Sequence, residues 1–431
     1  MIRSLTSAAL LAASATLAVG PPPAPTGATL AVSGRSNATP TIAALGHVVA
    51  VAWGAATPQG STDVFAAISQ DGGLTFGPPS RANDVDGNAS LGGEQPPHVA
   101  LVPRAGARPD VVVVWTAKSP SGTRLLSARS TDGGTTFSRA APLPGGEAPG
   151  NRGWESAAVD REGKVVAVWL DHRELAAAST TMNHDHSAAS GTAASAPKPD
   201  GAVRAQSSKL YFSRLNDPAS ARAIASGVCY CCKTSVTATS DGSIYAVWRH
   251  VYPGNLRDIA FTASHDGGRT FSSPARVSED HWAIDGCPEN GPTVAAGAGG
   301  TVSVVWPTLV RASAPNTEPG LRLFYATTAD GHRFTARLPI PTHGTPRHPQ
   351  MSALADGSFL IVWDEGLDGG RRRVAGVRTT SAGAAPRFTA LALDDGTRAE
   401  YPVVAGSDGG AVLAWTSGPP EQSVIRVARV P

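Results

Sequence analysis

The sequence predicts an all-β protein, a β-propeller built from four-stranded blades. Three observations predict this fold: an apolar strand ending in tryptophan recurs seven times, Gly- and Asp-containing turns separate the strands, and helix-favouring stretches are scarce. The chain has 47 glycines and 35 prolines among 431 residues, and only 16% of its residues are charged. This composition suits tight turns around a large apolar core. Repeats of this length are typical of propellers, in which each repeat forms one blade.

The second strand of each repeat gives the clearest signal. It is a short run rich in β-branched residues, such as Val302–Trp306, and it usually follows a turn such as Gly299-Gly300. Its seven final tryptophans are Trp53, Trp115, Trp169, Trp248, Trp306, Trp363 and Trp415. We favour seven blades, with six as the alternative. The last repeat ends after three strands, so we expect residues 28–32 to supply its outer strand and close the ring, because closure removes exposed strand edges.

A Ser/Thr-x-Asp-Gly-Gly-x-Thr-Phe motif follows the third strand in several repeats. It occurs at residues 69–76, 130–137 and 264–271, with a degraded copy at 328–334. In such a hairpin the aspartate accepts backbone hydrogen bonds, the glycines take positive φ and the aromatic ring anchors the turn. The motif is the Asp box, and over nearly all of residues 27–431 the chain resembles the sialidase-like (BNR or Asp-box repeat) β-propeller superfamily. We interpret the Asp boxes as structural.

This resemblance raises glycoside hydrolysis. Sialidases hold a substrate carboxylate with three arginines, and they use a Tyr–Glu pair as nucleophile and an aspartate as acid/base. Their first-blade arginine lies in a Phe/Tyr-Arg-Ile-Pro motif, but residues 36–40 of this chain read Ser-Asn-Ala-Thr-Pro, with Arg35 nearby. Sialidases also have six blades. We therefore expect a member of the superfamily that is not a sialidase.

Residues 1–26 have the pattern of a secretory signal peptide followed by a Pro-rich linker. Arg3 precedes an apolar stretch from Ala8 to Val19, which is too short to span a membrane. The net charge is +2 and there is no basic block, so the charge pattern of a nucleic-acid-binding protein is missing. We expect a monomeric, secreted or periplasmic propeller without a membrane span or a nucleic-acid partner.

Strand direction predicts which residues share a face of the propeller. The start of strand one and the end of strand two lie on one face, and the Asp boxes lie on the other. Polar residues on the first face converge on the central channel, where we expect a small ligand, a glycan or a protein to bind. The candidate catalytic residues for a hydrolase there are Tyr401, Glu400, Glu155, Asp171, Arg173, Arg249 and Arg347. Ion pairing between blades is the alternative interpretation of the three arginines.

All four cysteines precede the first strands of blades four and five. They are Cys229, Cys231, Cys232 and Cys287. In an exported protein disulfides are the ordinary outcome, and we consider Cys232–Cys287 as the pairing. A transition-metal site is the second interpretation, because thiolates favour copper(I) and zinc. A reactive catalytic thiol is the third.

Residues 174–208 form an insertion between strands two and three of blade three. It contains Met182, His184 and His186, which are ligands for soft metals, and it leaves from the face that carries the cysteines. Its remaining Ala, Ser, Gly, Thr and Pro residues predict a flexible segment. The sequence thus leaves two functions open: a binding module with a copper or zinc site of these cysteine, histidine and methionine residues, or a sialidase-like glycoside hydrolase.

Overall fold

A computed structural model describes residues 27–175, 201–284, 286–297, 300–311, 319–380, 386–393 and 396–431. The predicted signal peptide lies outside this part of the chain, as do Met182, His184 and His186. The described residues form seven four-stranded antiparallel sheets, whose inner strands contact one another in ring order. The prediction of an all-β propeller is confirmed, with seven blades rather than six.

Each blade runs outwards from the central channel, and strands that follow one another in sequence are paired. The innermost strands are β2 (Ser36–Leu45), β6 (His98–Val102), β10 (Arg152–Val159), β14 (Ser235–Ala238), β18 (Thr293–Ala296), β22 (Thr345–Ala353) and β26 (Ala399–Ser407). The second strands are β3 (Val48–Ala56), β7 (Asp110–Ser119), β11 (Val165–Asp171), β15 (Ile244–Arg249), β19 (Val302–Val310), β23 (Phe359–Gly366) and β27 (Gly410–Ser417).

The third and fourth strands form the outer half of each blade. The third strands are β4 (Thr62–Ser69), β8 (Gly122–Ser130), β12 (Lys209–Arg214), β16 (Ile259–Ser264), β20 (Gly320–Thr328), β24 (Arg372–Thr380) and β28 (Val424–Val430). The outermost strands are β5 (Ser80–Arg81), β9 (Ala141–Pro142), β13 (Asp217–Ser226), β17 (Ala275–Arg276), β21 (Leu338–Ile340), β25 (Arg387–Ala390) and β1 (Gly27–Leu30).

Helical structure is limited in the described ranges to short segments. These are the α-helix α1 (Gly201–Ala205) and two 3₁₀ helices, Asp368–Gly370 and Pro420–Gln422. Within those ranges, no helix has the length and apolarity needed to cross a bilayer.

The ring closes through a blade made from both ends of the described chain. Strand β1 pairs antiparallel with β28, in a register that places Gly27 opposite Ala428 and Leu30 opposite Ile425. Leu30 is buried and packs in the apolar cluster that contains Trp53 of blade one and Val412 of blade seven. The expected closing strand therefore fills the edge of blade seven.

The repeated tryptophan forms the core of every blade. The side chains of all seven tryptophans are 0 to 5% exposed, and each packs in an apolar cluster. The β-branched residues before each tryptophan are buried on both faces of the strand, because each sheet packs between two neighbouring sheets. This explains why the second strands read as continuous apolar runs.

The four predicted Asp-box segments form similar turns after strands β4, β8, β16 and β20. In the third of these, the Ser264 hydroxyl donates to Asp266 at 2.8 Å, and Asp266 accepts from the Thr270 N–H at 2.9 Å. Gly268 has φ +83° and lies against Phe212 of the preceding blade, where a Cβ atom would clash. Phe271 packs edge-on against the same ring, with 5.0 Å between centroids. The turn is thus an inter-blade contact.

Candidate functional site

A repeated backbone feature aims side chains into the mouth of the channel. The pairing of the first and second strands shifts register at a bulge in blades one, three, six and seven. The residue at each bulge has a positive φ without being glycine: Thr39 (54°), Trp154 (55°), His348 (50°) and Tyr401 (54°). Bulges redirect side chains and are common beside binding sites. Here they turn Trp154, His348 and Tyr401 towards one cavity.

Neighbouring blades hold these left-handed residues in place. The backbone N–H of His348 donates to Asn290 Oδ1 of blade five at 3.1 Å, and that of Tyr401 donates to Asp364 Oδ1 of blade six at 3.3 Å. Each bond satisfies an N–H that the bulge removes from the strand ladder. The bulges therefore also fasten adjacent blades together.

The cavity at this mouth has a volume of about 340 Å³. Its walls come from five blades and from the loop before β6. The lining residues are Ser90, Leu91, Gly92, Gly93, Glu94, Gln95, Trp154, Cys231, Glu289, Arg347, His348, Arg372 and Tyr401. This volume is at the lower end of the range for small-molecule sites.

Glu94 connects blades across the mouth. One carboxylate oxygen, Oε2, accepts hydrogen bonds from the backbone N–H of Lys233 at 2.9 Å and of Gly291 at 2.7 Å. The buried Lys233 ammonium donates to the carbonyl of Pro349 at 2.6 Å. The other oxygen of Glu94 is buried and has no hydrogen-bond partner among the described residues. Glu94 therefore carries an unused acceptor in the wall of the cavity.

A His–Asp pair supports another part of the cavity wall, where His348 is a lining residue and Asp364 is buried behind it. His348 Nδ1 lies 2.7 Å from Asp364 Oδ1, and the His348 ring lies against Tyr401 with 4.6 Å between centroids. Arg372 bonds to the second oxygen of Asp364 and lies 2.9 Å from Glu400. Burial raises the pKa of Asp364, but His348 and Arg372 more than offset this and keep the pKa below its usual value. Burial also raises the pKa of Tyr401, so its hydroxyl is a proton donor at neutral pH.

Glu155 and His98 lie close together on the channel wall. Burial raises the pKa of Glu155 to about 7, and its Oε2 accepts from the Thr116 hydroxyl at 2.8 Å. Burial lowers the pKa of His98 to about 4. Both residues are therefore largely uncharged near pH 6, because removal from water disfavours the ionised form of each.

The cysteines converge as predicted from strand order. The loop between β13 and β14 carries Cys229, Cys231 and Cys232, all buried, and their three sulfur atoms lie within 4.8 Å of one another. Ala202 and Ala205 of helix α1 pack against them. The described C-terminal end of the 174–208 insertion therefore lies beside the cysteine cluster.

The prediction of a disulfide between Cys232 and Cys287 is wrong. Cys287 pairs with Cys231, with 6.0 Å between their Cα atoms. The Cys232 sulfur lies 3.9 Å from that of Cys229 and forms no disulfide. A sulfur atom forms one disulfide bond, so the pairing of Cys231 with Cys287 leaves Cys232 as a free thiol.

Cys229 and Cys232 are free thiols held in an electropositive environment. The Arg257 guanidinium donates to the Cys229 sulfur at 3.2 Å. The hydrogen bond from Cys232 and the charges of Arg257 and Arg249 lower the pKa of Cys229, whereas burial raises the pKa of Cys232. The pair is thus arranged to carry at least one thiolate.

The structure separates the other candidate catalytic residues into two groups. Tyr401, Glu400 and Arg347 lie at or beside the cavity. Asp171 and Arg173 pair with each other in blade three at 2.6 Å, and Asp171 also accepts from the Trp169 indole at 3.0 Å.

Arg249 is enclosed by backbone. Its guanidinium, 1% exposed, donates to the carbonyls of Asn290 at 2.8 Å and Pro307 at 2.7 Å, and it stacks on Trp282 at 4.8 Å. In this position it joins blade four to blade five instead of reaching the cavity.

Sequence reasoning missed two arginines of this region, Arg257 and Arg372. Both lie just before or at the start of a third strand, which returns to the same face as the end of strand two. A search of the sequence that also covered the start of the third strand in every repeat would have identified both arginines.

Glu94 gives the first testable prediction. We expect Glu94→Ala to destabilise the protein by about 2 to 4 kcal/mol, because it leaves two buried N–H groups without acceptors and removes the nearest anion from Lys233. Denaturant unfolding followed by tryptophan fluorescence measures the change. Glu421→Ala, at an exposed glutamate, is the control. Equal midpoints for both variants would show that the cross-channel contact does not stabilise the ring.

The raised pKa of Glu155 predicts that the stability of the protein depends on pH. Its pKa rises from 4.5 to about 7 on folding, so the folded state binds the extra proton and its stability falls as pH increases through that window. We expect Glu155→Gln, which keeps the acceptor for Thr116, to gain stability over wild type as pH rises, by up to about 3 kcal/mol above pH 7. Unfolding midpoints at acidic and alkaline pH measure this. A constant difference between the two proteins would contradict it.

Solved structures share this fold, although neither a protein-family model nor a curated protein matches the chain. An α-L-arabinanase of Penicillium chrysogenum has a TM-score of 0.50 and 11% identity, covering 94% of this chain and 96% of that one. A GH93 α-L-arabinofuranosidase of Fusarium graminearum has a TM-score of 0.50 and 12% identity, covering 94% and 97%.

A puromycin-hydrolysing peptidase of Mycobacterium tuberculosis also matches, with a TM-score of 0.50 and 13% identity. The match covers 92% of this chain and 52% of that one. Identities this low show the fold alone. The chain has a β-propeller fold, as its resemblance to the sialidase-like repeat proteins implies.

Proposed function

We propose that this chain is an exported binding propeller that holds Cu(I) through the thiolates of Cys229 and Cys232. The observation that carries the proposal is the buried pair of free thiols, with 3.9 Å between their sulfur atoms and a guanidinium 3.2 Å from one of them. Two unpaired thiols this close in an exported protein need a reason to stay reduced, and binding a soft metal ion supplies one.

The number of donors favours Cu(I) over zinc. With Cys231 bonded to Cys287, two free thiols remain in the described part of the chain, and structural zinc sites almost always have four ligands. Cu(I) prefers sulfur donors and accepts a low coordination number. Two thiolates and one Cu(I) leave a single negative charge, which the Arg257 guanidinium balances. Buried charges require such a partner.

The 174–208 insertion supports the same assignment. Its described end, helix α1, packs on the three cysteines. Met182, His184 and His186 lie outside the described residues, and we retain them as candidate donors that receive or deliver the ion. Imidazole and thioether groups both bind copper.

Cu(I) binding is tested by competition. We expect the anaerobic protein to take one Cu(I) per chain from the chromogenic chelator bathocuproine disulfonate. Cys229→Ser and Cys232→Ser should each bind at least about 100-fold more weakly, since each removes half of the donor pair. The double variant Cys231→Ser/Cys287→Ser, which keeps both donors, is the control. The proposal fails if wild type takes no Cu(I), or if Cys229→Ser matches it.

A second function, glycoside hydrolysis, is favoured by the cavity itself. The unpartnered oxygen of Glu94 needs a donor such as a sugar hydroxyl, and Arg347, His348 and Tyr401 surround the same space. The arabinanase and arabinofuranosidase with similar folds act on glycans. Two observations oppose a sialidase-like mechanism: Arg249 bonds to backbone carbonyls, and Arg173 pairs with Asp171. An arginine triad that binds a carboxylate would therefore need other members.

This second function predicts turnover of a fluorogenic sialoside or arabinofuranoside. Tyr401→Phe should then lower kcat by at least about 100-fold, because it removes a proton donor. Tyr211→Phe, in the outer half of blade three, is the matched control. Wild-type protein that cleaves neither substrate, or a Tyr401→Phe variant with full activity, would reject hydrolysis by these residues.

A further inference from the structure

We propose that reduction of the Cys231–Cys287 disulfide adds Cys231 to the metal site as a third thiolate, so that a dithiol reductant controls how tightly the protein holds Cu(I). The inference rests on the metal site proposed above and concerns its regulation.

The geometry of the cluster supports this role for Cys231. Its sulfur lies within 4.8 Å of those of both Cys229 and Cys232, so it is a neighbour of the donor pair even while bonded to Cys287. Cys231 is 4% exposed. A thiolate released from it therefore stays beside the other two sulfur atoms and cannot turn to solvent without unpacking the loop.

The two sulfur atoms of the disulfide differ in access. Cys287 is exposed, in the loop between β17 and β18, whereas Cys231 is buried. Thiol–disulfide exchange needs an attacking thiolate to reach one sulfur atom along an open path. An external reductant thus reaches Cys287, and the buried Cys231 is the leaving group.

Reduction of the Cys231–Cys287 disulfide takes two thiol–disulfide exchange steps. A thiolate of the dithiol attacks the Cys287 sulfur; a mixed disulfide forms, the Cys231–Cys287 bond breaks, and Cys231 leaves as a thiolate. The second thiol of the reductant loses its proton and attacks the reductant sulfur that is bonded to Cys287. The cyclic disulfide forms, and Cys287 leaves as a thiolate that takes up the released proton. The dithiol is oxidised to a cyclic disulfide, and the protein gains two electrons.

Metal binding and reduction become coupled through this shared residue. If three thiolates bind Cu(I) more tightly than two, then bound Cu(I) must equally favour the reduced form of Cys231 and Cys287. Cys231 also lines the cavity beside Trp154. The redox state of one bond therefore changes both the donor set of the metal site and the wall of the cavity.

Two single variants with equal numbers of free thiols test the inference. Cys287→Ser leaves Cys229, Cys231 and Cys232 free, and Cys231→Ser leaves Cys229, Cys232 and Cys287 free. Alkylation followed by mass measurement verifies the thiol count in each. We expect Cys287→Ser to bind Cu(I) about 10- to 100-fold more tightly than Cys231→Ser in chelator competition, because only it has the third donor in the cluster. X-ray absorption should show an additional sulfur neighbour of copper in Cys287→Ser alone.

Wild-type protein provides a measurement that does not depend on substitution. After treatment with a dithiol that is then removed in the absence of air, the affinity of wild-type protein for Cu(I) should rise by about the same factor that separates Cys287→Ser from Cys231→Ser. Equal affinity of the two single variants, with both binding Cu(I), would overturn this inference and leave the metal site intact. Absence of binding in all three proteins would instead reject the metal site.

Discussion

One carboxylate holds the mouth of this propeller together. Glu94 lies in the loop before β6 of blade two and accepts hydrogen bonds from the backbone N–H groups of Lys233 and Gly291. The Lys233 ammonium donates to the Pro349 carbonyl in blade six. The residue before Pro349 is His348, and Lys233 follows directly after the cysteine loop. The positions of the His–Asp pair and of the thiol pair therefore both depend on this buried contact, which is strong because its groups are charged and shielded from water.

The cysteine cluster and the cavity share a wall, and their chemistry differs. Cys231 and Trp154 border the cavity on one side and pack in the cysteine cluster on the other. The cluster offers soft sulfur donors beside guanidinium groups. The cavity offers oxygen and nitrogen groups and two aromatic rings, a set suited to polar organic ligands. A ligand in the cavity would therefore contact Cys231, the residue whose oxidation state we propose to control metal binding.

The fold was predictable because its signals are local and repeated. A strand buried on both faces reads as a continuous apolar run, so seven Trp-terminated runs indicated seven blades, and the short last repeat indicated closure by residues near 28. The site was less predictable because it depends on side-chain direction. Sequence order placed Cys287 near Cys231 and Cys232 but did not distinguish them. It also put Arg249 at the mouth, whereas the blade interface has enough backbone acceptors to bury its guanidinium.

The pairing of β1 with β28 has a consequence for the order of folding. Blade seven joins residues about 400 positions apart, so its outer strand stays unpaired until almost the whole chain has been synthesised. Until then blade one lacks its neighbour on the side of blade seven, and the apolar face that packs around Trp53 is exposed. A partly synthesised chain thus exposes an apolar blade face that only the last strands can cover, so the steps before ring closure are the ones most exposed to aggregation.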